Sequence, residues 1–395
     1  MDFYDAPKIP MSSPDIGQEE RDAVLNVLNT NYLSMGPYIR EFEQAICDYA
    51  GVKHAIGVNS GTSGLHLCVR AAGISEGDYV LTTPFSFVAS TNVALFERAT
   101  PIFVDVEERT GNINVEQLTQ AAADLKAGGE RAARWLPRKN APVNGQLKAI
   151  LPVDVFGQPP NMDPILDLAK EFDLTVIEDS CEALGGEYKG RKAGTLGDFG
   201  VFAFYPNKQI TVGEGGMIVT NDDAAADMMR SLRNQGRAVG DTWLQHTMLG
   251  YNYRLDEMSA ALGAVQMRRL PKLLEKRAMV AGWYEDGLAG LDAIDLPWLS
   301  PECTDVSWFV YVVRLKAEYD RTEVAAALEA FGVPIRSYFT PIHTMPYMVE
   351  MFGYQEGDFP VTEMLGRQNM AIPFSGQMTH AQVNQVCAAM WEVLG

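Results

Sequence analysis

Between about residue 50 and residue 220 the chain alternates short apolar runs with segments of helical period. The runs cover 55–58, 79–82, 101–104, 149–155, 175–177, 200–204 and 216–220. They are rich in Val, Ile and Phe and show little polar alternation, as strands buried on both faces do. Helical patterns lie between them, as at 62–72, 115–125 and 162–172. This β–α rhythm predicts an α/β fold with a mostly parallel sheet covered by helices on both faces. Ligands of such sheets bind beyond the carboxyl ends of the strands. After residue 220 the pattern changes. Residues 222–290 read as mostly helical, 307–315 as a strand, 322–331 as a helix and 379–393 as a final helix. A smaller C-terminal α+β domain is expected, with the division at 1–250 and 251–395. The basic, Gly/Pro-rich stretch 126–146 lacks periodicity and is expected to be a long surface loop.

The chain has 395 residues, of which 47% are hydrophobic and 21% charged. It is long enough for a large core and for two domains. Lys and Arg number 32 against 51 Asp and Glu, a net charge of −19. That balance opposes nucleic-acid binding, which leaves a basic footprint, and opposes adhesion to anionic membranes. Cys47, Cys68, Cys181, Cys303 and Cys387 are scattered, and no two stand at metal-site spacing. Neither a disulfide framework nor a metal site is expected. The opening MDFYDAPKIPMSSPD has no basic stretch followed by an apolar one, so no secretory leader is expected. No run reaches about 18 apolar residues, so no membrane span is expected. A cytoplasmic protein is the expectation.

Three polar clusters follow predicted strands and should converge. Asn59 to Gly64 (NSGTSG) sits at a strand-to-helix turn. Glycines admit close backbone approach, and a helix N-terminus offers free N–H groups to an anion. A plain helix cap explains the cluster equally well. It matches neither the Walker nor the dinucleotide fingerprint, so ATP and NAD are poorly supported. Asp179 ends another strand. It can cap a helix, bind a metal, or pair with the nitrogen of a cationic heterocycle, which makes that ring an electron sink. Lys208 follows a third strand and precedes a Gly-rich turn. Lysines are usually solvated, but one partly desolvated in the crevice can form a Schiff base. An anion cradle, a ring-nitrogen carboxylate and a reactive lysine together meet the requirements of pyridoxal phosphate.

The motifs VNSGTSGLHL (58–67), TTPFSFVASTN (82–92), VDVFGQPPNMD (153–163), the long block 176–222, GYNYRLDEMSAALG (250–263), IRSYFTPIH (335–343) and IPFSG (372–376) occur in order along the chain. On these the chain resembles the DegT/DnrJ/StrS-type sugar-nucleotide aminotransferases, fold-type I pyridoxal phosphate enzymes. The resemblance implies that Lys208 holds the cofactor and moves the substrate proton, and that Asp179 pairs with its ring nitrogen. It implies that Phe87 stacks on the ring, that Gly61, Thr62 and Ser63 hold the phosphate, and that Glu182 lies near the phenolic oxygen. Asn252 would reach the phosphate of a second copy, giving a homodimer with shared active sites. The implied reaction moves an amino group from glutamate to a keto group of a nucleotide-linked deoxy sugar. Position C4 is favoured because IRSYFTPIH looks most like perosamine-synthase-like enzymes, with C3 the alternative. Arg336, Tyr338 and His343 in that segment are candidate substrate contacts. A surface ion pair for Arg336 and a packed role for His343 are the competing readings.

Three positions depart from the usual pattern. Glu182 stands where Gln or His is common, Ala203 where Ser is common, and Asp154 where His is common. Two alternatives stay open: another pyridoxal phosphate enzyme, such as a dehydratase, and a non-catalytic regulator on the same fold. The retained Lys208 and Asp179 oppose both.

Overall fold

The computed structural model describes residues 9–142, 145–237 and 244–395. The opening segment read for a leader therefore lies partly outside the described residues, as do positions 143 and 144 of the expected loop.

A seven-stranded sheet forms the centre. Its order is His54–Val58, Gly216–Thr220, Phe199–Ala203, Thr175–Asp179, Leu147–Ile150, Tyr79–Thr82, Thr100–Phe103. All neighbours run parallel except Gly216–Thr220, which is antiparallel to both of its partners. Side chains alternate between the faces. Ile56, Val58, Val80, Ala149, Ile177, Val201 and Ile218 share one core with the helices Gly61–Ala71, Ala89–Phe96 and Asp223–Arg233. The opposite face divides. Met217, Val219 and Phe202 pack against Pro37–Ala50 and the first half of Glu257–Leu288. Tyr79, Leu81, Ile102, Ile150 and Val176 pack against Val115–Ala127 and Met162–Phe172. Both faces are apolar, which explains the unbroken hydrophobic runs.

A second, antiparallel sheet has the order Ile294–Asp295, Tyr311–Leu315, Asn369–Ile372, Arg336–Ser337. Its core takes in Val280, Tyr284, Val324, Leu328, Val386 and Met390. Glu257–Leu288, 32 residues long, spans about 48 Å at the usual helical rise. It joins the two cores. Among the described residues no helix is long and apolar enough to cross a membrane.

Three expectations are corrected. The run 149–155 leaves the sheet after Ile150 and enters a 3-10 turn at Val155–Gly157. Phe156 there has φ +59° and Gly157 φ +91°, which strand geometry excludes. The strand expected from Ser307 starts at Tyr311, because Trp308 takes φ +47°. The stretch 126–146 is not a featureless loop. It completes one helix, forms a short second one at Gly129–Ala133, and is tied down by Arg138. That guanidinium donates to both carboxylate oxygens of Asp358, at 2.5 and 2.7 Å.

Candidate active site

The carboxyl ends of the parallel strands share one edge of the sheet, where the three polar clusters meet. A Cβ on Gly61 would lie 2.8 Å from Cys181 Sγ and 2.9 Å from the Ala203 Cβ. A Cβ on Gly216 would lie 2.5 Å from the Ser60 carbonyl oxygen. Only glycine allows these strand ends to approach so closely.

Lys208 sits in a turn closed by its N–H donating to the Tyr205 carbonyl at 2.9 Å. Its Nζ lies 3.8 Å from the centroid of the Phe309 ring and 3.5 Å from Glu182 Oε1. The lysine is thus sheltered between a π-face and a carboxylate. Buried Arg277 fixes this arrangement from behind. It donates to the carbonyls of Lys208 (2.6 Å) and Asn207 (3.2 Å) and to those of Trp308 (3.1 Å) and Phe309 (3.2 Å). Burial lowers its pKa to about 10.

Asp179 ends its strand with the carboxylate held from two sides. Ser90 Oγ donates to Oδ2 at 2.6 Å, and the Cys181 N–H donates to Oδ1 at 3.2 Å. Ser90 lies in the first turn of helix Ala89–Phe96, three residues after Phe87, which is 64% exposed. The anion cradle is the start of helix Gly61–Ala71. Ser60 caps it, accepting from the Ser63 N–H at 3.1 Å. Ser63 Oγ in turn donates to Asn59 Oδ1 at 2.6 Å, so its proton is committed inside the turn. The N–H groups of Gly61 and Thr62 have no partner among the described residues.

Glu182 is enclosed. Oε2 accepts from the Phe156 N–H at 3.0 Å while Oε1 faces Lys208. Burial raises its pKa, and Lys208 opposes that rise. Asp154 is fully buried. Its Oδ2 accepts from Ser180 Oγ at 2.5 Å, and its Oδ1 has no partner. Burial, and then the Glu178 charge, hold its pKa well above the usual carboxylate range. Glu178 accepts from the N–H groups of Gly194, Leu196 and Gly197, yet burial raises its pKa to about 7.

The candidate substrate residues separate. Tyr338 packs beside Phe156, Phe309 and Phe339, on the wall that carries the lysine. Burial pushes its pKa up to about 12. Arg336 is exposed and donates to the neighbouring Ile335 carbonyl. His343 is 0% exposed, with Nε2 on Glu363 Oε1 at 3.0 Å. It stands among Tyr354 and Phe359, so the packed reading describes it. Asn252 is exposed, bridged to Asn234, and the next residue's carbonyl accepts from the Asn59 N–H.

Ser90, Phe309, Phe156 and Arg277 went unnoticed in the sequence. Arg277 left a signal: it falls in phase with Leu270, Leu273, Val280 and Tyr284, buried positions of one helix. A charge at such a position needs a polar partner.

The residues present fit pyridoxal phosphate. Two unpartnered N–H groups at a helix start suit a phosphate. Asp179, held by two donors at the same edge, suits a protonated ring nitrogen. Lys208 supplies the amine, and Phe87 an open ring face.

Comparison with known proteins points the same way. The profile of the DegT/DnrJ/EryC1/StrS aminotransferase family matches residues 14–391. A GDP-perosamine synthase of Caulobacter vibrioides is 38% identical over 394 residues, covering 99% of both chains. A GDP-perosamine synthase of Escherichia coli O157:H7 is 33% identical over 385 residues, covering 97% of this chain and 98% of the other. The solved structure of Helicobacter pylori PseC, an aminotransferase involved in pseudoaminic acid biosynthesis, superposes with a TM-score of 0.87 at 27% identity, covering 98% of this chain and 99% of that one. The chain belongs to the DegT/DnrJ/EryC1/StrS family of pyridoxal-phosphate-dependent sugar aminotransferases.

Proposed function

We propose that this enzyme transfers the amino group of glutamate to the C4 keto group of a nucleotide-linked deoxy sugar, with C3 the alternative position. The observation that carries this reading is the shared strand edge. It holds Lys208 Nζ against Phe309 and Glu182, Asp179 against Ser90, and two free N–H groups at a helix start. The GDP-perosamine synthases among the relatives support a nucleotide-linked sugar as the acceptor.

Pyridoxal phosphate, when bound, supplies the electron sink and carries the amino group between donor and acceptor. Lys208 Nζ would hold the cofactor, and the same amine would take up and return the substrate proton. Glu182 Oε1 positions Nζ and would lie near the phenolic oxygen. The Asp179 carboxylate, kept oriented by Ser90, would accept a hydrogen bond from the ring nitrogen. Gly61, Thr62 and Ser63 form the phosphate site, in which the backbone N–H groups of Gly61 and Thr62 donate. Phe87 would cover the ring. Tyr338 and Arg336 face the sugar nucleotide; His343 acts only by packing.

A homodimer with shared sites completes this reading, with Asn252 reaching the phosphate of the second copy. Exposed Tyr32, Leu33 and Met35 lie beside the 252–257 segment, and exposed Met248 and Leu249 lead into it. Together they offer an apolar surface for a second chain. The division into a large domain at 1–250 and a small one at 251–395 remains part of the proposal, as does a cytoplasmic location.

The test is an incubation of the cofactor-loaded enzyme with glutamate and a panel of nucleotide-linked keto sugars. NMR of the product identifies the aminated carbon. Amine at C4 of one deoxy sugar supports the proposal; no amination of any panel member contradicts it.

A further inference from the structure

Glu97 ends helix Ala89–Phe96, which packs on helix Gly61–Ala71, whose start offers the anion cradle. Its carboxylate is 13% exposed and gathers three partners. Oε2 accepts from Arg70 Nη1 at 2.8 Å. Oε1 meets His66 Nε2 at 2.8 Å and accepts from the Tyr251 hydroxyl at 3.1 Å. His66 is buried, and its Nδ1 lies 3.1 Å from the Tyr253 hydroxyl. An ionised carboxylate only accepts, so His66 donates from Nε2, and the neutral ring then accepts from Tyr253 at Nδ1. Burial alone would raise the Glu97 pKa, but the bonds from His66 and Arg70 outweigh it and hold the pKa below its ordinary value.

The two tyrosines flank Asn252. Their rings stack 4.9 Å apart at an interplanar angle of 9°. Consecutive side chains of an extended segment point to opposite sides. Tyr251 and Tyr253 turn inward to the Glu97 network, while Asn252 between them is exposed. The backbone is pinned as well: the N–H groups of Tyr251 and Tyr253 donate to the carbonyls of Leu232 and Arg233, at 2.7 and 3.0 Å. Holding both rings inward fixes the direction in which Asn252 leaves the surface.

We infer that Glu97 is a positioning residue, which aims Asn252 at the phosphate of the neighbouring copy, directly through Tyr251 and through His66 by way of Tyr253. This rests on the shared-site reading and deepens it by naming what holds the donated residue. The effect of Glu97 is then exerted in the partner's site and not in the site of its own chain.

The test titrates pyridoxal phosphate against the visible band of the lysine-bound cofactor, which only chains bearing Lys208 form. Glu97→Gln keeps the size of the side chain and removes its charge. Tyr251→Phe keeps the stacked ring and removes the bond to Glu97. Both homodimers should bind the cofactor about fivefold or more weakly than wild type. In a heterodimer of Glu97→Gln with Lys208→Ala, isolated through two different affinity tags, the reporting site lies in the Glu97→Gln chain. It takes Asn252 from a chain whose Glu97 is intact. Its affinity should return to that of the heterodimer of wild type with Lys208→Ala. The heterodimer of Asn252→Ala with Lys208→Ala should recover too, which checks the shared site itself. A Glu97→Gln heterodimer as weak as its homodimer, beside a recovering Asn252→Ala one, would overturn the inference alone, because Glu97 would then act within its own chain. Recovery in neither would overturn the shared-site reading and the inference with it. Wild-type affinity in both homodimers would overturn the inference as well.

Discussion

Glu182 directs Oε1 at Lys208 Nζ, 3.5 Å away, and anchors Oε2 on the Phe156 N–H at 3.0 Å. The pair therefore links the reactive amine to a turn whose backbone leaves the sheet at Ile150. Sheltering a lysine this way keeps its position while leaving its charge balanced.

Ser90 acts through Asp179. Ser90→Ala removes the 2.6 Å hydrogen bond to Oδ2. A hydrogen bond to a charged group contributes about 1.5–3 kcal/mol, so pyridoxal phosphate should bind about tenfold or more weakly. Equilibrium dialysis with the cofactor reads this directly, and Ser90→Thr should restore most of the affinity. Equal affinity in Ser90→Ala would show that Asp179 needs no such support.

Stability should fall as pH rises toward 7. Glu178 and Asp154 carry folded-state pKa values above their ordinary ones, 4.5 and 3.8. Above those ordinary values the unfolded chain has released protons that the folded chain still holds, up to about pH 7 for Glu178. Folding is therefore favoured at the low end of that window and loses the advantage as pH rises through it. Asp154→Asn keeps an acceptor for Ser180 and removes the charge. It should raise the melting temperature at about pH 8, by the equivalent of about 1–3 kcal/mol, and flatten the decline. A thermal melt series over pH checks this; a variant with the wild-type slope would contradict it.

The strands were legible because their burial on both faces leaves no polar alternation to confuse the pattern. Lys208 and Asp179 were legible because each follows such a strand at a position where the fold gathers ligands. What supports them was not. Ser90 lies 89 residues from Asp179 in sequence, and nothing local marks it. Phe309 and Arg277 meet Lys208 only through tertiary packing. The turn at Phe156 and the bend at Trp308 place non-glycine residues at positive φ, which no residue pattern announces.

His343 should behave as a core residue. His343→Ala removes the bond to Glu363 and opens space among Tyr354 and Phe359. A loss of about 2–4 kcal/mol in stability is expected, with KM for the sugar unchanged in the folded protein. Denaturant titration and steady-state kinetics separate the two effects. A raised KM at full stability would return His343 to the substrate.

Shared sites predict complementation. Lys208→Ala and Asn252→Ala subunits are each expected to be inactive alone. Mixed in equal amounts and allowed to exchange, half of the dimers are hetero and carry one intact site of two. Activity should recover to about a quarter of wild type. No recovery, with heterodimers verified by mass spectrometry, would place Asn252 outside the partner's site.

The most direct measurement follows the visible absorbance of the cofactor-loaded protein through a full cycle. Glutamate should bleach the band of the lysine-bound cofactor, and one nucleotide-linked keto sugar should restore it. Lys208→Ala should show neither the lysine-bound band nor turnover while keeping its circular dichroism spectrum. A band that ignores both glutamate and every keto sugar, or full turnover in Lys208→Ala, would contradict the account.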